Sequence, residues 1–195
     1  MRQTRLFKEQ QSGSSLTGPH ACDKVKSVKE VWSMKYITTL VSLCAFDNAV
    51  KDYIEACCEQ GMDKPVLDGR LRIRNYHNTG AMFNLGGKNS AVVTKLSLIF
   101  SVSMTGIFAA TLATKGNVLL KSGLALLLGG AYSNTYDRLK RQYVVDYVSF
   151  HFPPTDRKEL KTFQKAFESV VFNLSDFGIM IGAMLIVISQ MGKAS

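Results

Sequence analysis

Three stretches of this chain are almost free of charge. Residues 91–113 (AVVTKLSLIFSVSMTGIFAATLA) hold only Lys95, residues 118–136 hold only Lys121, and residues 177–192 hold no charged residue. At about 1.5 Å per helical residue, the first stretch reaches roughly 34 Å, enough for a hydrocarbon core of about 30 Å. The rest of the chain carries nearly all of its 24 Lys+Arg and 15 Asp+Glu. Such segregation excludes a disordered chain, a disulfide-stapled secreted domain and a simple soluble globule. It predicts a multi-span membrane protein.

The link Lys115-Gly116-Asn117 is so short that the spans 91–113 and 118–136 must be antiparallel neighbours. A third span is expected over 173–191, with Asp176 near one end and Lys193 past the other. A fourth is expected over 36–54. Its first part, Tyr36 to Phe46, is uncharged, and Asp47, Lys51, Asp52 and Glu55 follow. Asp47 and Lys51 are four apart, so they share a helix face and can pair. A buried amphipathic helix of a soluble protein is the bland alternative for this segment. It is no cleaved signal peptide, because the apolar run starts too late.

Residues 1–35 hold seven Lys+Arg and three acids around the patch Gln11-Ser12-Gly13-Ser14-Ser15. They are expected to form a basic, flexible, cytoplasmic arm, with residues 36–195 as the membrane domain. Four spans would then leave both termini in the cytoplasm. The cations are scattered along the loops without a nucleic-acid motif, so no nucleic-acid partner is expected. Cys22, Cys44, Cys57 and Cys58 form no metal-ligand spacing. No metal and no cofactor are expected.

Acids beside apolar spans are the informative residues. An ionised Asp at a bilayer centre costs on the order of 2.5–3.5 kcal/mol, so it needs a partner or a task. Asp47, Asp137, Asp146 and Asp176 stand out. Asn134 with Asp137, and Asn173 with Asp176, are two Asn-x-x-Asp blocks that place each pair one helical turn apart. Asp137 beside Arg138 could form a helix-end ion pair, and Asp176 could cap its helix. Asp146, inside the apolar run Tyr143–Val148, has no comparable bland role. Together these acids suggest carboxylates gathered at one membrane face. Two carboxylates sharing one proton can hydrolyse a peptide: one draws a proton from water, and the other polarises the carbonyl. No competing system is visible. His20, His77 and His151 are the only histidines, and there is no G-x-S-x-G, phosphate loop or H-E-x-x-H.

Five blocks occur in order: Phe46–Lys51 (FDNAVK), Asn78–Phe83 (NTGAMF), Gly129–Arg138 (GGAYSNTYDR), Val144–Tyr147 (VVDY) and Phe172–Asp176 (FNLSD). Set against four spans, they resemble the lipoprotein signal peptidases, also called signal peptidase II. The resemblance covers residues 36–192. It implies an all-α membrane protein, a four-helix transmembrane bundle with a small extracytoplasmic β-cradle, in the bacterial cytoplasmic membrane. It implies an aspartyl protease that cuts a diacylglyceryl prolipoprotein just before its lipobox Cys. By motif, Asp146 and Asp176 become the catalytic pair. Asn134, Asp137, Arg138 and Asn173 match the supporting polar shell, and Asp47 and Lys51 match the first-span pair. Asn78, Gly80 and Ala81 match the cradle strand over the substrate. Membrane lipids are the other expected partner, and a monomer is the expected state.

Three departures stand out. His77 occupies a position where the family usually has Arg. Residues 150–169 (FHFPPTDRKELKTFQKAFES) are longer and more basic than the usual link, and a helix within 156–168 would lay its cations on anionic headgroups. The arm is also long. These features leave room for a specialised or resistance paralogue of the same enzyme. A non-enzymatic four-span transporter or scaffold would explain intramembrane acids as a proton path, but not five ordered blocks.

Overall fold

The computed structural model describes residues 19–80, 89–152, 162, 164, 165 and 167–191, with side chains from residue 33 onward. The chain divides into two compact units, Met1–Lys35 and Tyr36–Ser195. Four long helices and three strands are described: α1 Pro19–Cys57, β1 Asp63–Val66, β2 Leu71–Asn78, α2 Ser90–Ala113, α3 Val118–Arg141, β3 Val144–Phe150 and α4 Leu174–Met191. Helix α1 begins inside the segment expected to be an arm. Residues 1–18 lie outside the described residues, as does most of the predicted helix over 156–168. Of the latter, residues 162, 164, 165, 167 and 168 are helical.

Helices α2 and α4 are long and apolar enough to cross a membrane by length and composition. Large side chains on both stand open to the surroundings, among them Ile99, Val102, Met184 and Val187. An apolar surface of that extent belongs in lipid rather than water. Helices α1 and α3, of 39 and 24 residues, are also long, but polar side chains interrupt their apolar character. They bury Asp47, Lys51, Ser133, Asn134, Asp137 and Arg138 instead of showing them outside.

Local chemistry sets the helix ends. Asn117, in the left-handed region at φ 51°, opens α3 by accepting from the Leu120 N–H at 3.1 Å. Lys121, the one charge in that apolar run, reaches back 2.6 Å to the carbonyl of Thr114 at the end of α2. Its charge thereby meets the negative end of the α2 dipole. Gln142 closes α3 in a left-handed cap and turns the chain into β3.

The helices approach through glycines. A Cβ on Gly130 would lie 2.4 Å from the Ser175 carbonyl oxygen of α4, and one on Gly123 would lie 2.7 Å from that of Gly182. One on Gly129 would lie 2.8 Å from the Leu40 carbonyl oxygen of α1. Small residues let backbones meet where no hydrophobic drive exists between helices. Helix α2 joins α3 through Ser101 and Thr135, whose hydroxyls are 3.1 Å apart.

The sheet is antiparallel in the order β1-β2-β3. Asp63 pairs with Arg74 and Val66 with Leu71; Tyr76 faces Asp146 and Asn78 faces Val144, with an irregularity between Ile73 and Tyr76. Phe172 bridges to Val148, which brings the start of α4 against β3. By connectivity, the C-terminal ends of α1 and α3 and the N-terminal ends of α2 and α4 all lie toward the sheet.

Gly130→Ala should lower the thermal midpoint in detergent, because overpacking of this kind costs about 1–3 kcal/mol. Differential scanning fluorimetry against Gly106→Ala is the check. A Cβ at Gly106 meets nothing within 4 Å, and that variant should not be destabilised.

Candidate active site

The site is built where α1, α3, β3 and α4 converge. Asn173 caps α4 and Asp176 lies in its first turn. The Asn173 side-chain oxygen accepts from the Asp176 N–H at 3.0 Å, and the Asp176 carboxylate accepts from the Asn173 N–H at 3.0 Å. This is a reciprocal capping box. The capping role foreseen for Asp176 is therefore real, and it coexists with a second role. Asp176 also lines a cavity of about 690 Å³ together with Asp146, Asn78, Asn134 and Arg138.

Asp146 sits on β3 and is almost wholly buried. Its two oxygens accept from Asn78 Nδ2 at 2.9 Å and from Asn173 Nδ2 at 2.7 Å. Asn173 thus touches both carboxylates, one with its side chain and the other with its backbone. Burial, then the negative charge of Asp176, pushes the Asp146 carboxyl up to about 7, while the bonds from Asn78 and Asn173 pull the other way. Asp176 accepts a further bond from Asn134 Nδ2 at 3.0 Å.

Behind the cavity lies a fully buried ionic cluster. Lys51 Nζ is 2.7 Å from Asp47 and 3.3 Å from Asp137, and all three side chains are inaccessible. Lys51 also donates to Ser133 Oγ at 3.1 Å and Asn134 Oδ1 at 2.8 Å. Asp47 in turn accepts from the hydroxyls of Ser133 and Ser175, each at 2.6 Å, from Tyr147 at 2.9 Å and from the Leu174 N–H at 3.1 Å. Burial and the Asp47 charge push the Tyr147 phenol up, so it stays a donor. A buried ion pair needs partners of this kind, since desolvation otherwise exceeds its Coulombic gain.

Asp137 does not form the helix-end pair with Arg138. It accepts from the Val145 N–H at 3.2 Å, beside Lys51, and approaches Arg141 at 3.5 Å. Arg138 turns the other way, donating to the carbonyls of Asn134 at 3.2 Å and Gly80 at 2.9 Å. Gly80 also donates its N–H to Asn78 Oδ1 at 3.0 Å. The end of β2 is therefore tied to α3 and β3 together. Ala81 lies outside the described residues. His77 is not on the cavity. Its Nε2 lies 2.6 Å from Glu55, and its ring stacks on Tyr143 at 3.9 Å.

All the other predicted site residues meet in one network. Ser133, Ser175 and Tyr147 belong to it without having been singled out. Each is the neighbour in sequence of a singled-out residue, and that adjacency was the available signal. The cavity lining also includes the apolar Leu96 and Phe100 from α2 and Ile179 from α4, beside Ser97 and Ser101. Among the described residues, no group of three or more His, Cys, Asp or Glu could hold a metal ion.

The sequence model of the family described as signal peptidase (SPase) II matches residues 39–191. The chain belongs to the signal peptidase II family. A lipoprotein signal peptidase of Shouchella clausii is 32% identical over 159 residues, covering 80% of this chain and 91% of the relative. One of Mesorhizobium japonicum is 29% identical over 163 residues, covering 82% and 86%. A bacterial membrane enzyme solved by the in meso method at 2.3 Å superposes with a TM-score of 0.68 at 22% identity, covering 83% of this chain and 90% of its own. This last likeness concerns the fold. The chain is accordingly a membrane-embedded peptidase of the family that removes signal peptides from prolipoproteins.

The raised Asp146 carboxyl has a consequence for stability. It binds its proton more tightly folded than unfolded, so its contribution is full below the ordinary value of 3.8 and is lost as pH rises toward 7. The thermal midpoint in detergent should fall between pH 4 and pH 7.5. In Asp146→Asn the fall should be smaller, and equal slopes in the two proteins would contradict the raised value.

Proposed function

We propose that this chain is an aspartyl endopeptidase in which Asp146 and Asp176 form the catalytic pair. Its substrate is a bacterial prolipoprotein carrying diacylglycerol on its lipobox Cys, and the cut falls just before that Cys. The observation that carries the reading is the single Asn173 residue holding both carboxylates at the wall of one cavity.

The chemistry follows from the two environments. A carboxyl held at about 7 keeps a proton available near neutral pH. Asp146 gives that proton to the scissile carbonyl oxygen while Asp176 takes one from water. The water oxygen bonds to the carbonyl carbon, giving a tetrahedral diol. The diol then collapses. The leaving nitrogen takes the proton from Asp176, the C–N bond breaks, and a diol hydroxyl returns its proton to Asp146. The products are the signal-peptide carboxylate and a free amino group on the lipidated Cys. Arg138 stays within electrostatic reach of both acids. It limits the repulsion that would otherwise drive them apart.

In this reading residues 36–195 form the peptidase domain and all four helices cross the bacterial cytoplasmic membrane. The alternating chain direction of α1 to α4 supports this arrangement. Asp47 and Lys51 neutralise each other inside, which makes the crossing of α1 tolerable. Both termini lie in the cytoplasm, the sheet lies on the outer face, residues 1–35 form a cytoplasmic arm, and the protein acts as a monomer. The apolar lining residues Leu96, Phe100 and Ile179 suit the lipid and apolar side chains of the substrate.

Asp146→Asn and Asp176→Asn should each insert normally and cleave a diacylglyceryl prolipoprotein at least a thousandfold more slowly. Gel-shift cleavage assays in micelles are the check, and cleavage retained by either variant removes the pair. Because the pair needs no metal, EDTA should leave the rate unchanged, and loss of activity that added metal restores would require different chemistry.

A further inference from the structure

Lys51 makes two contacts that charge balance does not require, to Ser133 Oγ at 3.1 Å and to Asn134 Oδ1 at 2.8 Å. Asp47 and Asp137 already neutralise its ammonium at 2.7 and 3.3 Å. Ser133 leads back to Asp47, to which it donates, whereas Asn134 leads on to Asp176. A primary amide accepts at one end and donates at the other, and an ammonium only donates. With Oδ1 held by Lys51, and by Asn173 Nδ2 at 3.2 Å, the Asn134 amino group has to face Asp176, 3.0 Å away. A flipped amide would set its donor against two donors and its acceptor against a carboxylate.

Two other asparagines donate to the acids, and both are oriented by the backbone. Asn78 Oδ1 accepts from the Gly80 N–H and Asn173 Oδ1 from the Asp176 N–H, each at 3.0 Å. Asn134 is the one oriented by side chains. A full positive charge on its oxygen also polarises the amide, so its N–H becomes a better donor.

We propose that Lys51 is a positioning residue that locks the Asn134 amide with its N–H on Asp176, and so fixes that carboxylate in the cavity. The proposal rests on Asp146 and Asp176 being the catalytic pair. Lys51 hydrogen-bonds to neither acid; its charge acts on both from a distance, and Asn134 carries the positioning.

The test compares variants that keep the charge balance. Asp47→Asn/Lys51→Met removes one charge of each sign. It should fold, keep KM for a synthetic diacylglyceryl lipopeptide within about twofold, and lose kcat by on the order of 10- to 100-fold, the worth of one hydrogen bond to a charged group. Adding Asn134→Ala should cause no further loss there, although it lowers kcat by a similar factor in the wild type. Asp47→Asn/Lys51→Gln retains an N–H donor without the charge and should recover most of kcat. It also serves if the Met variant does not fold.

Wild-type kcat in the Met variant overturns the role of Lys51. So do losses that multiply when Asn134→Ala is added, or a Gln variant as slow as the Met one. Asp146→Asn is run alongside. If it is inactive while the Met variant is fully active, only the Lys51 role is lost. If it is active, the catalytic pair itself is lost.

Discussion

Everything at this site depends on holding two acidic side chains, Asp146 and Asp176, at the wall of one cavity. Like charges in a poorly screened medium repel strongly, so the protein must supply donors that cannot turn away. It does so with amides rather than with cations alone. Asn78, Asn134 and Asn173 each present an N–H to Asp146 or Asp176. Each amide is held at its other end by a donor that fixes which way it points. The acids are therefore held in place by amide donors.

This arrangement requires backbones to come unusually close. Asn134 lies on α3 and Asp176 on α4, and their bond forms only because Gly130 lets α3 settle against the Ser175 carbonyl. The cluster of Asp47 and Lys51 needs α1 equally near α3, and Gly129 allows it. Helix packing and site geometry are thus one feature. The ionic cluster is stable where it stands because its acceptors and donors come from all the converging elements, including the Ser175 hydroxyl and the Tyr147 phenol.

Much of this was legible in the residues. The apolar runs expected over 91–113 and 173–191 match Ser90–Ala113 and Leu174–Met191 closely, because long apolar helices have few other ways to be built. Helix α3 runs on to Arg141, beyond the expected end at 136, because Asp137 and Arg138 are buried with partners in α1, β3 and the end of β2 instead of ending the helix. Helix α1 extends far ahead of the apolar run that revealed it. The strands were poorly legible. Arg72 and Arg74 both turn to Asp63, at 2.6 and 2.9 Å, so charge pairing rather than apolar alternation marks that edge. Placement of the acids followed from the ordered blocks. The destination of Arg138 did not follow, since a neighbouring acid in sequence suggested a bond that the fold spends on Gly80 instead. His77, which stands where the family usually has Arg, braces Glu55 and Tyr143.

The capping box at the start of α4 has an evolutionary corollary. Because Asp176 and Asn173 cap the first turn of α4 with one set of atoms and bond to Asn134 and Asp146 with another, losing this acid after a loss of selection for activity would also loosen the last helix. A lineage that abandoned the chemistry would still be under pressure to retain its hallmark. Persistence of the Asn-x-x-Asp signature in a distant descendant is therefore poor testimony that the descendant still cleaves anything. Persistence of Asp146, which caps no helix, is the better witness.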